Sequence, residues 1–358
     1  MLPADFLPIY ELTRGKTVES IHSGAVAVVD ATGRLIANYG NPGLVTFLRS
    51  SAKPFQTLPL LEAGGRERFS FTPREIALMC ASHSGTDEHI TVAQSIQMKA
   101  GVTEAELLCG VHEPFHEPTA AALRERREAP TPNRHNCSGK HSGMLALAEL
   151  YKANLLEEET LDYIDFQHPV QIAILNTFAD MCGLPVDQVQ LGIDGCSAPN
   201  FAVPLRNAAY GIARLCDPLA GAVEPIARHE ACRTITSAMM FNPDMVGGPD
   251  TFDTSLMVLG KGRWISKGGA EGYQAIGILP GILGHDAPGI GITLKIADGD
   301  LKSRARHAVA LAVLQQLGVL SEDELAMLAR FGPQTPVLNW RKIEVGIARP
   351  LLQLEFNP

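Results

Sequence analysis

The chain lacks the features that would place it in several large classes of protein. No uninterrupted apolar stretch reaches the roughly 18 residues that a membrane-spanning helix needs. The pattern G-x-x-x-x-G-K-[ST] is missing, and no G-x-G-x-x-G follows a predicted strand, so neither a P-loop nor a dinucleotide site is expected. Positive charge is scarce: 30 Lys and Arg stand against 39 Asp and Glu in 358 residues, a net charge of −9. This balance argues against nucleic-acid or anionic-membrane binding, which needs a basic patch.

Signals for export and for disulfide bonds are also missing. The first ten residues, MLPADFLPIY, carry an acid at Asp5 and no basic segment before an apolar one, which is not the pattern of a signal peptide. The seven cysteines are an odd number and are spread along the chain. We therefore expect a cytoplasmic protein with reduced thiols, in which a special cysteine is a ligand or a nucleophile.

The pattern that is present indicates a mixed fold. Runs typical of strands lie near both chain ends, at residues 23–29, 34–39, 255–259, 263–267, 273–279, 290–296 and 343–354, and helical spacing fills the middle. This order predicts an α+β fold whose antiparallel sheet is built from both chain ends around a helical middle. We expect one domain, residues 1–358, with a sheet lobe from about 1–48 and 250–358 and a helical lobe from about 49–249.

The first candidate for chemistry is the S-x-x-K pattern formed by Ser50 and Lys53. On a helix these positions share a face, so the serine hydroxyl and the lysine amine could meet. A serine is a weak nucleophile until a base takes its proton, and a buried lysine that is neutral can do so. Pro54 suits the first turn of a helix that begins near Ser50, whereas Pro59 should kink or end that helix about one turn later. A solvated helix start is the alternative interpretation.

Four further blocks place polar or reactive residues at the ends of predicted elements. CASHSG at residues 80–85 closes an apolar helix, and RHNCSGKHSG at 134–143 opens another, where unpaired backbone N–H groups favour an anion such as a substrate carboxylate. GIDGCSAPN at 192–200 sets an acid beside a thiol in a turn, and SKGGAEG at 266–272 ends a strand with a lysine before two glycines. Taken singly, these blocks are also compatible with capped helix ends, an ordinary turn and a hairpin with a solvated lysine.

One further segment, His112-Glu113-Pro114-Phe115-His116, fits the H-E-x-x-H pattern of zinc metalloproteases. That chemistry requires both histidines on one helix face. Pro114 biases Glu113 away from helical geometry, and no third ligand follows in the usual downstream pattern. We therefore do not expect a metalloprotease.

Five blocks in one order resemble the asparaginase II family, the rhizobial-type L-asparaginases. They are RSSAKPFQ at residues 49–56, ASHSG at 81–85, HNCSGKHSGM at 135–144, DGCSAPNF at 194–201 and KGGAEG at 267–272. The resemblance runs nearly end to end. It implies a serine-β-lactamase-like or glutaminase-like fold, a homodimer, and hydrolysis of L-asparagine to L-aspartate and ammonia.

The resemblance also implies two Ser–Lys pairs, Ser50 with Lys53 and Ser82 with Lys267. In the expected mechanism Ser50, deprotonated by Lys53, attacks the side-chain amide carbon, backbone N–H groups stabilise the oxyanion, and water cleaves the acyl-enzyme. Ser82 and Lys267 would relay the proton or tune Lys53. Which serine becomes acylated stays open, because both blocks supply a suitable hydroxyl.

Binding residues follow from the same resemblance. A zinc ion would position the substrate, held by two cysteines and a lysine that match Cys137, Cys196 and Lys140. The implied substrate contacts are Asp194, near the substrate amine, with Arg49 and His141 in the neighbouring blocks.

Two other functions remain open at this point. A related S-x-x-K amidohydrolase such as a glutaminase would use the same groups, whereas the K-T-G that β-lactam hydrolases usually carry beside S-x-x-K is missing. A zinc- or amino-acid-binding protein without turnover is the alternative from another class. The expected partner is a small molecule, L-asparagine above all, with no nucleic acid and no membrane.

Overall fold

The computed structural model describes residues 5–152 and 161–357. The strands are β1 (Leu7–Arg14), β2 (Thr17–Asp30), β3 (Leu35–Tyr39), β4 (Val45–Phe47), β5 (Gln190–Ile193), β6 (Pro199–Pro204), β7 (Trp264–Gly269), β8 (Tyr273–Ile278), β9 (Ile290–Ile296), β10 (Thr335–Leu338), β11 (Glu344–Pro350) and β12 (Glu355–Phe356). The helices are α1 (Lys53–Glu62), α2 (Gly65–Phe69), α3 (Pro73–Met79), α4 (Asp87–Ala100), α5 (Glu117–Arg126), α6 (Ser138–Lys152), α7 (Pro169–Met181), α8 (Leu205–Cys216), α9 (Ile226–Phe241), α10 (Pro243–Val246), α11 (Phe252–Gly260), α12 (Arg304–Gln316) and α13 (Glu322–Met327).

These elements form two compact units. The first contains the described residues up to Leu48, the segment Val203–Gly221 and the residues from Ser266 onward. The second contains Arg49–Ala202 and Ala222–Ile265. Within the described part of the chain, each helix falls short of the length and apolarity that a membrane crossing requires. The expectation of a single domain stays a prediction.

The first unit is built on an antiparallel sheet with strands from both chain ends. The strand order is β10-β11-β1-β2-β9-β8-β7, with β3 paired to β2 and β12 paired to β3. Strand β2 is central, and its residues Gly24 to Asp30 pair with Ile296 to Ile290 of β9. The consecutive apolar residues 25–29 of β2 are all buried, as expected for a strand covered on both faces. The prediction of an α+β fold with a sheet from both chain ends is confirmed.

Helix α8 packs on this sheet because a glycine allows close approach. At Gly291 in β9, an added Cβ would lie 1.8 Å from the Ala209 carbonyl oxygen of α8. Ala208, Ala209 and Ala213 of the helix are buried here. The position of α8 in the chain predicts that it belongs with the helical middle. The structure instead places residues 203–221 in the sheet unit, where Gly291 of β9 lets the helix approach the sheet closely.

The predicted strand at residues 255–259 is part of helix α11. The Thr251 side chain caps this helix by accepting a hydrogen bond from the Thr254 N–H. Leu256, Met257 and Leu259 are buried whereas Val258 is exposed, which is not the alternation of a half-buried strand. The strand prediction is wrong because a short apolar run does not by itself distinguish a strand from a buried helix.

In the second unit, α1 is packed against α6, α7 and α9. Its residues from Lys53 to Leu61 are all buried, which is typical of a helix inside a core. Pro59 lies inside α1 and does not end it, contrary to the sequence expectation. The packing on all sides of α1 outweighs the one helical hydrogen bond that a proline removes. The β5 and β6 strands form an antiparallel hairpin in the same unit.

A buried carboxylate, that of Glu75, anchors the start of α3. It accepts hydrogen bonds from the Thr72 N–H at 2.6 Å, the Ser95 hydroxyl at 2.7 Å and the Lys99 ammonium at 2.7 Å. Burial raises the pKa of Glu75, but these donors, with Lys99 foremost, lower it by more, so the pKa lies below its ordinary value. The ionised carboxylate therefore stabilises the helix that leads into the candidate site.

Glu75→Gln is expected to lower the free energy of unfolding at neutral pH by about 2 kcal/mol, the size of a hydrogen bond to a charged group. The folded pKa of Glu75 lies below the unfolded one, so the wild type should lose this stability as the pH falls below about 4.3, whereas the variant has none to lose. Urea unfolding across this pH range measures both effects. Glu106→Gln removes an exposed capping carboxylate at Thr103 and should cost about 0.5 kcal/mol. Equal losses of unfolding free energy in the two variants would contradict the proposed role of Glu75 in anchoring α3.

Candidate active site

The Lys53 side chain lies at the centre of the candidate site. It is 1% exposed, in the first turn of α1. Its Nζ is 3.0 Å from the Ser82 hydroxyl, 2.5 Å from the Ala81 carbonyl oxygen and 3.3 Å from the Asn136 carbonyl oxygen. Because carbonyl oxygens only accept hydrogen bonds, a neutral Lys53 amine would donate both N–H groups to them and direct its lone pair at Ser82. The arrangement suits proton transfer from Ser82 to Lys53.

Ser50 and Lys53 lie on either side of a change of helix type, and their pairing stays a prediction. Residues Arg49–Ala52 form a 3₁₀ turn, Arg49 has a φ of 51°, and α1 begins only at Lys53. Within the described residues the Ser50 hydroxyl has no hydrogen bond. The Lys53 amine contacts the hydroxyl of Ser82, 29 positions along the chain.

Two crossing helices bring the halves of the site together. Helix α6 meets α3 at Gly139, where an added Cβ would lie 2.3 Å from the Leu78 carbonyl oxygen. The buried His83 accepts the Gly85 N–H at its Nδ1 (3.2 Å), so its Nε2 carries the proton and donates to the Ser138 hydroxyl at 2.9 Å. Burial holds the pKa of His83 well below its ordinary value, so the ring stays neutral. His83 thus ties the loop after α3 to the start of α6.

Two thiols and a second lysine lie in the same unit. Lys140 Nζ is 2.8 Å from the Cys196 sulfur, and both side chains are buried. A hydrogen bond from Cys196, aided by the Lys140 charge against the effect of burial, holds the pKa of Cys137 well below its ordinary value. That bond, together with burial, raises the pKa of Cys196. Burial lowers the pKa of Lys140, but the sulfurs raise it by more. The cluster therefore favours the thiolate form of Cys137 and the ammonium form of Lys140.

Asp194 and Arg49 form an ion pair beside this cluster. The Arg49 Nε and Nη2 atoms both lie 2.8 Å from Asp194 Oδ1, which also accepts the Gly195 N–H at 2.8 Å. Burial raises the pKa of Asp194, but the charges of Lys140 and Arg49 lower it by more, so the carboxyl stays ionised at neutral pH. The predicted substrate contacts Asp194 and Arg49 therefore lie together.

His141, the third predicted substrate contact, is fully buried. Its Nδ1 lies 2.7 Å from the Tyr163 hydroxyl, which accepts the Leu108 N–H at 2.8 Å. Burial, with the Lys140 charge, lowers the pKa of His141 to about 4, so the ring is neutral at neutral pH. Within the described residues its Nε2 is buried and has no hydrogen-bond partner. The Cys196 side chain acts on the same ring and raises its pKa against these effects.

Sequence reasoning missed two histidines that support the Cys137 segment. His135 Nδ1 accepts the Cys137 N–H at 3.0 Å, and His112 Nε2 accepts the Asn136 N–H at 3.0 Å. The two rings lie 4.3 Å apart, and the Phe115 ring stacks on His112 at 4.6 Å. His112 belongs to the H-E-x-x-H segment, which is not helical at this point. The sequence offered one signal for His135, which is its position two residues before Cys137 in a block shared with the family.

Lys267, the partner predicted for Ser82, belongs to the first unit and lies in β7. Its side chain is buried, and its Nζ donates to the Gly268 carbonyl at 2.8 Å. The pairing of Ser82 with Lys267 stays a prediction.

The zinc ligands implied by the resemblance, Cys137, Lys140 and Cys196, lie in one cluster. Thiolates and a neutral amine are sulfur and nitrogen donors of the kind that zinc accepts, so the donor chemistry fits. In the described residues no group of three or more His, Cys, Asp or Glu side chains is placed to hold a metal ion. A zinc site would therefore need Lys140 as its third ligand, and Lys140 would lose its proton on binding.

Comparisons with known proteins identify the family of the chain. No curated protein matches the chain. A Bacillus glutaminase structure is similar at 12% identity over 83% of this chain and 91% of that one, with a TM-score of 0.39. The Bacillus subtilis glutaminase YbgJ, in covalent complex with 5-oxo-L-norleucine, is similar at 13% identity over 81% and 88%, with a TM-score of 0.35. The model of the L-asparaginase II family matches residues 10–350, nearly the whole chain. The chain therefore belongs to the L-asparaginase II family of amidohydrolases.

Proposed function

We propose that the protein is an L-asparaginase, which hydrolyses L-asparagine to L-aspartate and ammonia by a Ser–Lys nucleophilic mechanism. The observation that carries this proposal is the 3.0 Å contact between the buried Lys53 amine and the Ser82 hydroxyl, in a chain of the L-asparaginase II family. Acyl transfer needs a nucleophile in hydrogen-bond contact with its base. Assembly as a homodimer is proposed on the family resemblance alone, and a cytoplasmic location on the seven cysteines, which all lie in the described residues as reduced thiols.

The substrate is an α-amino acid, and the cluster offers a partner for each of its charged groups. The ionised Asp194 suits the substrate amine, and the Arg49 guanidinium suits the α-carboxylate. The neutral Nε2 of His141 can hydrogen-bond a polar group of the substrate. These three roles are proposals that follow from charge and hydrogen-bonding capacity.

In the proposed reaction the Ser82 oxygen attacks the side-chain amide carbon while its proton passes to neutral Lys53. Lys53 returns this proton to the amide nitrogen, the carbon–nitrogen bond breaks, and ammonia leaves an ester on Ser82. Water then attacks the ester carbon, giving a proton to Lys53 that returns to the Ser82 oxygen as L-aspartate departs. This assigns the attack to Ser82, whereas spacing alone favours Ser50. We propose that Ser50 and Lys267 assist these proton transfers.

Trapping of the acyl-enzyme tests the proposal. Acid quenching during turnover of L-asparagine should give a protein whose intact mass is increased by one aspartyl group, and peptide mapping should place the group on Ser82. Ammonia release from L-asparagine and L-glutamine is measured in parallel, and a higher kcat/KM is expected for L-asparagine. A preference for L-glutamine would identify a glutaminase, and saturable binding of L-asparagine without ammonia would identify a binding protein.

We also propose that Cys137, Lys140 and Cys196 hold a zinc ion. A bound zinc ion would supply a fixed positive charge that positions the substrate. Wild-type protein purified from zinc-supplemented medium should contain about one zinc per chain, and Cys196→Ser should contain almost none, because structural zinc sites depend on every ligand. Metal content by mass spectrometry measures this, with Cys232→Ser, a buried thiol in α9, as the control. Zinc-free wild type, or equal zinc in both variants, would contradict the proposal.

A further inference from the structure

A surface groove in the second unit is lined by two arginines and by no acidic side chain. Its volume is about 340 Å³, which lies at the low end of the range for small-molecule pockets. It is lined by Arg66 of α2, by Arg233, Thr234 and Ser237 of α9, and by apolar side chains that include Ile76 and Ala238. The lining includes none of the residues assigned above to the candidate active site.

The two arginines of this groove make no ion pair with a described residue. Within the described residues, neither the Arg66 nor the Arg233 guanidinium makes a hydrogen bond or an ion pair. Arginines elsewhere in the unit behave differently, since Arg228 binds both Glu62 and Asp180. Two unpaired guanidinium groups that line one groove leave their N–H donors available to an anion.

The other groups in the groove complete the chemistry of an anion site. Arg233 and Ser237 are four residues apart on α9 and share a helix face. Guanidinium groups bind the paired oxygens of phosphate and carboxylate through parallel N–H bonds, and the Thr234 and Ser237 hydroxyls can donate to the remaining oxygens. The apolar floor can take the hydrocarbon part of a small organic anion.

We propose that this groove is a second ligand site, which binds a small oxyanion of the phosphate or carboxylate class between Arg66 and Arg233. The site is independent of asparagine turnover, so its test uses binding alone. Isothermal titration of the full-length protein with inorganic phosphate, and separately with succinate, covers both sources of the oxyanion. The tighter of the two ligands shows which source the groove prefers.

The wild type should bind one equivalent of phosphate or succinate, and Arg66→Gln and Arg233→Gln should each weaken binding about tenfold or more, the usual loss for one charge-assisted hydrogen bond. Arg341→Gln, which removes an exposed arginine in the loop between β10 and β11, should bind as the wild type does. Thermal melting confirms that each variant is folded. Failure of the wild type to bind either anion, or unchanged binding in both groove variants, would overturn the proposal.

Discussion

Lys53→Met is expected to lower kcat for L-asparagine by about 10⁴-fold, the upper range for the loss of a general base. Methionine keeps the length and the apolar stem of the buried side chain but can neither accept the Ser82 proton nor return it to the leaving ammonia. KM should change little, because Lys53 contacts Ser82 and two backbone carbonyls, and the proposed substrate partners are Asp194 and Arg49. Steady-state ammonia release measures both constants.

A matched variant separates lost chemistry from lost stability. Lys295 is also buried and donates to the Ile296 carbonyl at 2.8 Å, so Lys295→Met removes a buried amine of the same kind. We expect it to lower the melting temperature and to keep most of the turnover. If Lys53→Met were folded and retained more than about a hundredth of the wild-type kcat, Lys53 would not be the base.

Ser82→Ala should have the largest effect of all, a loss of about 10⁶-fold in kcat, as for removal of a catalytic serine elsewhere. Ser50→Ala should cost much less, because the Ser50 hydroxyl has no hydrogen bond to Lys53 or to any other described residue. A burst of ammonia equal to the enzyme concentration should be seen with the Ser50 variant and should be missing from the Ser82 variant.

Ser84→Ala is the matched control for this pair. Ser84 lies in the same loop, and its buried hydroxyl has no hydrogen-bond partner within the described residues, so its removal should leave turnover unchanged and should not destabilise the fold. The reverse result, with Ser50→Ala inactive and Ser82→Ala active, would assign the nucleophile to Ser50, as the S-x-x-K spacing suggests. Equal activity of both serine variants would exclude a serine nucleophile at either position.

Local patterns predicted much of the fold, and their failures have physical causes. The strands of the sheet were visible at both chain ends because buried β-branched runs such as residues 25–29 of β2 have a distinct composition. The run at residues 255–259 was predicted as a strand because burial on most sides hides helical spacing. The Thr251 cap marks the start of the helix that these residues form. The expectation that Pro59 ends the helix failed because propensity rules describe an isolated helix, whereas α1 is enclosed by packing.

The sequence by itself determined the family, the α+β order and the blocks from which the candidate residues come, because these are properties of local runs and of their order along the chain. The tertiary structure alone decided that Lys53 meets Ser82 and that Arg49 meets Asp194. The physical reason is that these partners lie 29 and 145 positions apart. Their distance depends on contacts such as Gly139 against Leu78, where the lack of one carbon atom allows two helices to cross.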